Sequence, residues 1–203
     1  MNATSLARLR IVILAAGFSS RLGQPKALAR IRGVSLLRRA LNAAADLKGA
    51  DIIAIVPRAA ARYRVETKGT KAMLVVNPGR ARGLSSSVRL GIAKSRYASA
   101  ILFVPVDMVN LKSADLNRLV RARQSAGRRV IARRIGTRGA APMILPRRFY
   151  ARASGVAGDV GLRWLTAQLG ADSLLLIDLP SAASDIDTPQ DLGAARASFR
   201  AQL

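Results

Sequence analysis

Three observations predict an α/β fold with a largely parallel sheet. Short, continuous apolar runs recur at Ile11–Leu14, Ile52–Val56, Met73–Val76 and Ile101–Val106, and each ends at small, polar or turn-forming residues. The segments between them carry apolar residues at three- and four-residue spacing, the period of a helix with one buried face. No internal repeat or low-complexity linker divides the 203 residues, so the chain reads as one domain over 1–203. Strands that are apolar throughout belong to sheets covered on both faces, which alternation with helices supplies. Ligands of such sheets bind outside the carboxyl ends of the strands. The residues that follow each run are therefore the first candidates for function.

The first run breaks at Ala15-Ala16-Gly17 into a loop with Ser19, Ser20, Arg21, Gly23 and Pro25-Lys26. Ser35 is expected to cap a helix with Leu36, Leu37, Ala40, Leu41 and Ala44 on its apolar face, closed by Gly49. The second strand stops at Pro57 and the third at Asn77-Pro78-Gly79, a strong turn signal. Gly83 through Ser87 opens a helix with Val88 and Ile92 inward, and Asp107 stands at the carboxyl end of the fourth strand. Ser113 is expected to cap the helix bearing Leu116, Leu119 and Val120. Two shorter strands, Val130–Ala132 and Met143–Leu145, flank an expected turn region from Gly136 to Pro142, and Phe149-Tyr150 starts a short helical piece. Gly158-Asp159 precedes an expected helix with Leu162, Leu165 and Leu169. A late strand, Ser173–Ile177, is followed by Asp185-Ile186-Asp187 and a helix start with Thr188 as cap, Pro189 in first position and Asp191 three residues after the cap.

Composition narrows the chemistry. The chain has neither cysteine nor histidine, which excludes disulfides, thiolate nucleophiles, imidazole bases and zinc held by either residue. Carboxylates, lysine, arginine, hydroxyls, backbone amides and a hard cation remain. Lys and Arg number 34 against 11 acids, a net charge of +23, which calls for an anionic partner. The cations are spread along the chain without a basic tail, and aromatics make up only 4%, too few for a base-stacking platform. A small polyanionic substrate is therefore favoured over nucleic acid. Arg8 and Arg10 precede an apolar run that stops at Gly17, too soon for a signal peptide, and no run approaches a membrane span; a cytoplasmic location is expected.

With so few acids, each deserves inspection, and Asp107, Asp185 and Asp187 stand out beside apolar runs. The loop after the first strand exposes many backbone N–H groups beside two cations, the means of wrapping a polyphosphate. It matches neither common glycine fingerprint. Gly17 and Gly23 are six apart, unlike G-x-G-x-x-G, and Gly23 is followed by Gln24-Pro25-Lys26 rather than by G-K-[ST] chemistry.

The segment LAAGFSSRLGQPKAL, Leu14 to Leu28, closely resembles the opening motif L-A-A-G-x-S-x-R-M-G-x-P-K of MobA-like nucleotidyltransferases, especially the molybdenum cofactor cytidylyltransferase branch. The resemblance continues in order through VVNPGRARGLSSSVRLGI (Val75–Ile92), VPVDMV (Val104–Val109), GDVGLRWL (Gly158–Leu165) and DIDTPQDL (Asp185–Leu192). It departs at Val109, where the family has proline, at Gly139-Ala140-Ala141-Pro142, and at Leu162 in place of alanine. These changes fall on the acceptor side, while the nucleotide side is intact.

The resemblance implies a three-layer, Rossmann-like α/β/α fold and transfer of a nucleoside monophosphate to a phosphate oxygen, with release of pyrophosphate. Leu14, Ala15, Ala16 and Gly17 would lie against the nucleotide, and Arg21 would clamp the β- and γ-phosphates as a bidentate fork. Lys26 would lie near the α-phosphate, with Arg21 and Lys26 as the catalytic pair. Asp107 and Asp187 would hold Mg²⁺, a hard cation that takes oxygen ligands. Asn77 and Ser86 are candidates for the nucleotide, and Asp159 for the acceptor side. The L-A-A-G sequence favours CTP over GTP, and molybdopterin or its Mo-bound form is the implied acceptor. A molybdoenzyme or its maturation chaperone is a further implied partner. The alternatives are another phosphorylated acceptor, such as a sugar or polyol phosphate, and a non-catalytic delivery partner of a molybdoenzyme.

Overall fold

The structure, a computed structural model, describes residues 9–47, 49–155, 157–159, 161–182 and 185–201. Arg8 and Val160, which entered the sequence reading, lie outside the described residues.

The apolar runs form strands β1 (Leu9–Leu14), β4 (Asp51–Val56), β5 (Met73–Val76) and β6 (Ala100–Pro105). Between the first two come a small hairpin, β2 (Arg30–Ile31) and β3 (Val34–Ser35), and helix α1 (Leu36–Ala45). Helices α2 (Ala60–Thr67), α3 (Leu84–Lys94) and α4 (Ser113–Ser125) follow β4, β5 and β6 in turn. Beyond them lie β7 (Val130–Ile135), β8 (Arg138–Pro146), α5 (Tyr150–Ser154), α6 (Arg163–Thr166), β9 (Leu174–Ile177) and α7 (Pro189–Arg200). Seven strands form one sheet in the order β5-β4-β1-β6-β8-β7-β9, in which only β8 runs antiparallel to its neighbours.

Both faces of β1 are covered, which explains why its sequence is apolar throughout. Ile11 and Ile13 belong to a core under Leu37 and Leu41 of α1 and Leu116 and Leu119 of α4. Val12 and Leu14 point the other way, to Val88 and Ile92 of α3 and Leu165 of α6. Three layers result. Gly91 lets α3 approach closely, because a Cβ there would meet Val12 at 2.9 Å and Phe103 at 3.0 Å. The chain leaves β1 toward β4 and β5, then crosses back to β6, so the order reverses between β1 and β6 and opens a crevice at their carboxyl ends.

A third apolar cluster ties the loops above this crevice together. Leu22 from the loop after β1, Ile31 from the hairpin, Val109 from the loop after β6, and Ile186 and Leu192 near α7 are buried in it. Val109, which stands where the family has proline, is thus held by packing instead of by ring rigidity. The backbone joins the same loops: Ile186 N donates to the Asp107 carbonyl at 2.9 Å, and Met108 pairs with Asp185 in an antiparallel bridge.

Several local expectations are revised. Ser35 caps α1 as expected, accepting from Arg38 N at 3.0 Å, but the helix ends at Ala45, ahead of Gly49. Lys112 is the N-cap of α4, with Ser113 the first helical residue; Asp115 reaches back to Lys112 N at 3.0 Å and satisfies that donor. The expected turn from Gly136 to Pro142 is mostly strand, because β8 starts at Arg138 and its pairing with β7 shifts register past Ala132. The helix expected after Asp159 is a single turn, Arg163–Thr166, and leaves Leu169 outside. The Arg32-Gly33 turn of the hairpin, with both φ angles positive (53° and 76°), was not anticipated. No helix among the described residues is long and apolar enough to cross a membrane.

Candidate active site

The crevice between β1 and β6 widens into a cavity of about 920 Å³. Its wall at the β1 end is the loop from Leu14 to Ala27; its wall at the other end comes from β7, β8 and α6. Leu14, Ala15, Ala16, Gly17, Arg21, Lys26, Asp107, Asp159 and Asp187 all line it.

The loop after β1 is shaped by local bonds. Ser19 sits in the left-handed region at φ 56°, and its hydroxyl accepts from Lys26 N at 3.0 Å, closing the loop into a ring. Gly17 is exposed, a Cβ there would meet nothing within 4 Å, and its φ is not positive. Nothing within the protein demands glycine at this point, so the open space beside it is available to a ligand.

On the cavity floor, Lys26 extends between two carboxylates. Its ammonium donates to Asp187 Oδ1 at 2.6 Å and to Asp107 Oδ2 at 3.4 Å. Arg21 donates to Asp187 Oδ2 at 3.1 Å, so this carboxylate is held from both sides. The Lys26 hydrogen bond holds the Asp187 carboxyl below its usual range, helped by the Lys26 and Arg21 charges against a lesser penalty from burial. Burial pushes Asp107 the other way, upward; the Lys26 charge opposes that rise and the neighbouring Asp185 adds to it. Asp107 Oδ1 and Asp185 Oδ1 are buried without a hydrogen-bond partner, an uncommon and costly condition. Asp185 and Asp187 flank the buried Ile186, so strand-like alternation turns both acids toward the cavity.

The donor set fits a hard divalent cation. Two carboxylates, one with a buried free oxygen, face a position already favourable to positive charge, since an ammonium bridges them. No group of three or more acids among the described residues is arranged around a metal. Two carboxylates completed by water and phosphate oxygens is the arrangement Mg²⁺ favours.

Asn77 and Ser86 do not line the cavity. Asn77 is buried, donating to Ser86 Oγ at 2.8 Å and Ser87 Oγ at 3.0 Å while its carbonyl accepts from Gly79 N at 2.9 Å. It pins the Asn77-Pro78-Gly79 turn to the first turn of α3. Ser86 is spent on that contact and on the Gly83 carbonyl, whereas Ser87 and Leu84 reach the cavity. Asp159 lines the cavity, and among the described residues its cap bond goes to another helix. Its Oδ1 accepts from Leu84 N at 2.9 Å, capping α3 across the fold, and Gly158 O accepts from Ser85 N at 3.0 Å. Gly83 makes room for this: at φ 80° its Cβ would lie 2.6 Å from Asp159 Oδ1 and 2.7 Å from Gly158 C.

Other lining residues escaped the sequence reading. Arg133 is buried in β7 and donates to Asp185 Oδ2 at 3.4 Å. Arg138, Arg163, Ile135 and Trp164 complete the far wall. Arg133 and Arg138 were hidden by the abundance of arginine; Arg163 and Trp164 carried a signal, since both lie inside the segment Gly158–Leu165 and Trp164 is the only tryptophan.

The family model of the MobA-like NTP transferase domain matches residues 11–173. The chain belongs to this family. It is a nucleotidyltransferase, and its sheet order is the Rossmann-like frame anticipated above. No curated protein matches the chain in sequence. Among solved structures it is similar to Rv0371c from Mycobacterium tuberculosis H37Rv, with 24% identity, a TM-score of 0.75, and 94% of this chain and 99% of that one covered. A structure of that protein in complex with manganese superposes with a TM-score of 0.71 at 23% identity, covering 95% and 100%. CMP:2-keto-3-deoxy-manno-octonic acid synthetase complexed with CTP gives 0.75 at 15% identity, covering 97% and 100%. Molybdopterin-guanine dinucleotide biosynthesis protein A from Archaeoglobus fulgidus gives 0.71 at 13%, covering 96% and 100%. At these identities the likeness is one of fold.

Proposed function

We propose that this MobA-like nucleotidyltransferase moves CMP from CTP to molybdopterin, or its Mo-bound form, in the cytoplasm, using Mg²⁺. The observation that carries the reading is the convergence of Asp107 and Asp187 on one cation beneath the loop after β1. The L-A-A-G opening supports CTP over GTP. Similarity of fold to a CTP-bound synthetase supports CTP, and similarity to a molybdopterin-guanine dinucleotide biosynthesis protein supports the molybdopterin acceptor.

In this reading an acceptor phosphate oxygen attacks the α-phosphorus of CTP. The bond from that phosphorus to the α,β-bridging oxygen breaks, and the electron pair leaves with pyrophosphate. Such a displacement asks the protein for position and charge compensation. Mg²⁺, held by Asp107 and Asp187, would supply charge neutralisation at the phosphate oxygens. Arg21, exposed and, among the described residues, anchored through Asp187 alone, would swing onto the β- and γ-phosphates. Lys26 would leave the carboxylates for the α-phosphate, its ammonium meeting the charge that grows there. The backbone beside Gly17 lets the nucleotide approach without meeting a side chain. Arg133, steadied by Asp185, offers the acceptor phosphate a second cation.

Incubation with α-labelled CTP or GTP, Mg²⁺ and molybdopterin tests the reading. The expected result is pyrophosphate and a cytidine dinucleotide product, with CTP preferred. Transfer only to sugar or polyol phosphates, or cofactor binding without turnover, would replace it by one of the alternatives.

A further inference from the structure

The far wall of the cavity is unusually apolar for a protein of this charge. Leu84, Ile135 and Trp164, exposed to 37%, 44% and 38%, all line it. One exposed apolar side chain needs no explanation, but three around one opening, among arginines, describe a site. By strand order this wall stands over β8 and β7, beyond β6 from the loop that faces the nucleotide in the reading above.

Trp164 lines the cavity and is partly exposed. Its neighbours in α6 are buried: Leu165 is fully covered, and Thr166 Oγ1 donates to the Gly139 carbonyl at 2.7 Å. A Cβ at Gly139 would meet Thr166 at 3.1 Å, so the helical turn lies directly on β8. Fixing those two residues inward sends Trp164 toward the opening. The other strongly exposed aromatics, Phe18 and Tyr97, each carry a guanidinium over the ring, Arg80 at 4.2 Å and Arg96 at 4.5 Å. Although Arg163 adjoins it in sequence, Trp164 has no such cover among the described residues.

We propose that Trp164 determines acceptor specificity by stacking its indole on a flat heteroaromatic ring that carries a phosphate arm. The inference rests on the nucleotidyl-transfer reading above and selects among its acceptors. A ring on Trp164, between Leu84 and Ile135, fills apolar surface that a sugar or polyol would leave unpaired with its hydroxyls. Arg138 and Arg163 line the same cavity and would balance an anionic arm directed toward Arg133.

As the sole tryptophan, Trp164 reports its own occupancy through fluorescence. A pterin monophosphate, titrated without nucleotide and corrected against free tryptophan, is expected to quench it saturably, and ribose 5-phosphate is not. In turnover with CTP, Trp164→Ala is expected to raise KM for molybdopterin about tenfold, the loss falling on KM and not on kcat, while Trp164→Phe keeps most of the affinity. Unchanged KM in Trp164→Ala, with the variant's melting temperature intact, overturns the assignment and leaves cytidylyl transfer standing. Equal quenching by ribose 5-phosphate overturns it as well. Saturable pterin quenching in a chain that turns over neither CTP nor GTP would uphold the ring subsite while removing the nucleotide reading.

Discussion

Two carboxylate centres in this protein are built on opposite terms. Glu66, the only glutamate, is 5% exposed; it accepts from the Ser35 hydroxyl at 2.6 Å and pairs with Arg30. It locks α2 to the cap of α1 and leaves neither oxygen unpartnered. Asp107 and Asp185 each bury an oxygen with no partner, beside a cavity large enough for substrate. A satisfied buried acid maintains a fold, and it loses little when the rest of the molecule is idle. An unsatisfied one costs stability in the resting protein and has capacity left for a ligand. The contrast separates structure from chemistry more sharply than burial alone.

The largest break in this comparison comes from Asp107→Asn. Turnover is expected to fall on the order of a thousandfold, as when one electrostatic element of a transfer site is removed. Stability should not fall with it. The folded carboxyl titrates above its ordinary 3.8, so its favourable contribution is present below that pH and is lost as pH rises through the raised value. The asparagine variant should therefore melt at or above the parent temperature at pH 7, with the gap closing toward pH 3.8; a large drop in melting temperature at pH 7 would refute the contrast.

Glu66→Ala should do the reverse. Leaving Ser35 and Arg30 without their acceptor is expected to cost about 3 kcal/mol in denaturant unfolding, with kcat per folded molecule unchanged. Gly17→Val should weaken CTP binding about tenfold or more by calorimetry, because the side chain enters the space left for ligand, while unfolding free energy stays within about 0.5 kcal/mol. Loss of stability in that variant would mean the protein itself needs the glycine.

The smallest effect is at the start of α7. Thr188 Oγ1 accepts from Asp191 N at 3.2 Å, and Thr188→Ala should cost about 1 kcal/mol. Backbone N–H groups of Asp187 and Thr188 hold the Asp191 carboxyl below 3.8, so its clamp is present above that pH and is lost as pH falls through the lowered value. Melting curves of the parent and Asp191→Asn should converge at low pH.

The sheet was largely legible because a strand buried on both faces has no polar residues to interrupt it; β1, β4 and β6 announce themselves. The Arg32-Gly33 hairpin was not, since two-residue strands leave no periodicity. β8 and the end of β7 were underestimated because Arg133, Arg134 and Arg138 break the apolar run, although Arg133 is itself buried. In the site, Asp107, Asp185 and Asp187 could be picked out as acids beside apolar runs, and Lys26 as a cation of the loop after the first strand. The contact of Asp159 with α3 could not be read, because the helix it caps begins 75 residues earlier in the chain. Asn77 had a readable turn and an unreadable partner: only the fold brings Ser86 and Ser87 to its amide. Trp164 showed its rarity but not the bareness of its face, which depends on where arginines from other segments lie.

The backbone bond from Ile186 to Asp107 and the Met108–Asp185 bridge carry a consequence for assembly. Asp107 enters the sheet with β6, but Asp187 arrives only when a segment 80 residues later docks against the loop above it. All seven strands of the sheet precede Asp187 in the chain, so they are synthesised before it. On the nucleotidyl-transfer reading proposed above, a nascent or clipped chain ending before Asp185 would carry the loop after β1 and Asp107 without the second carboxylate proposed for the cation.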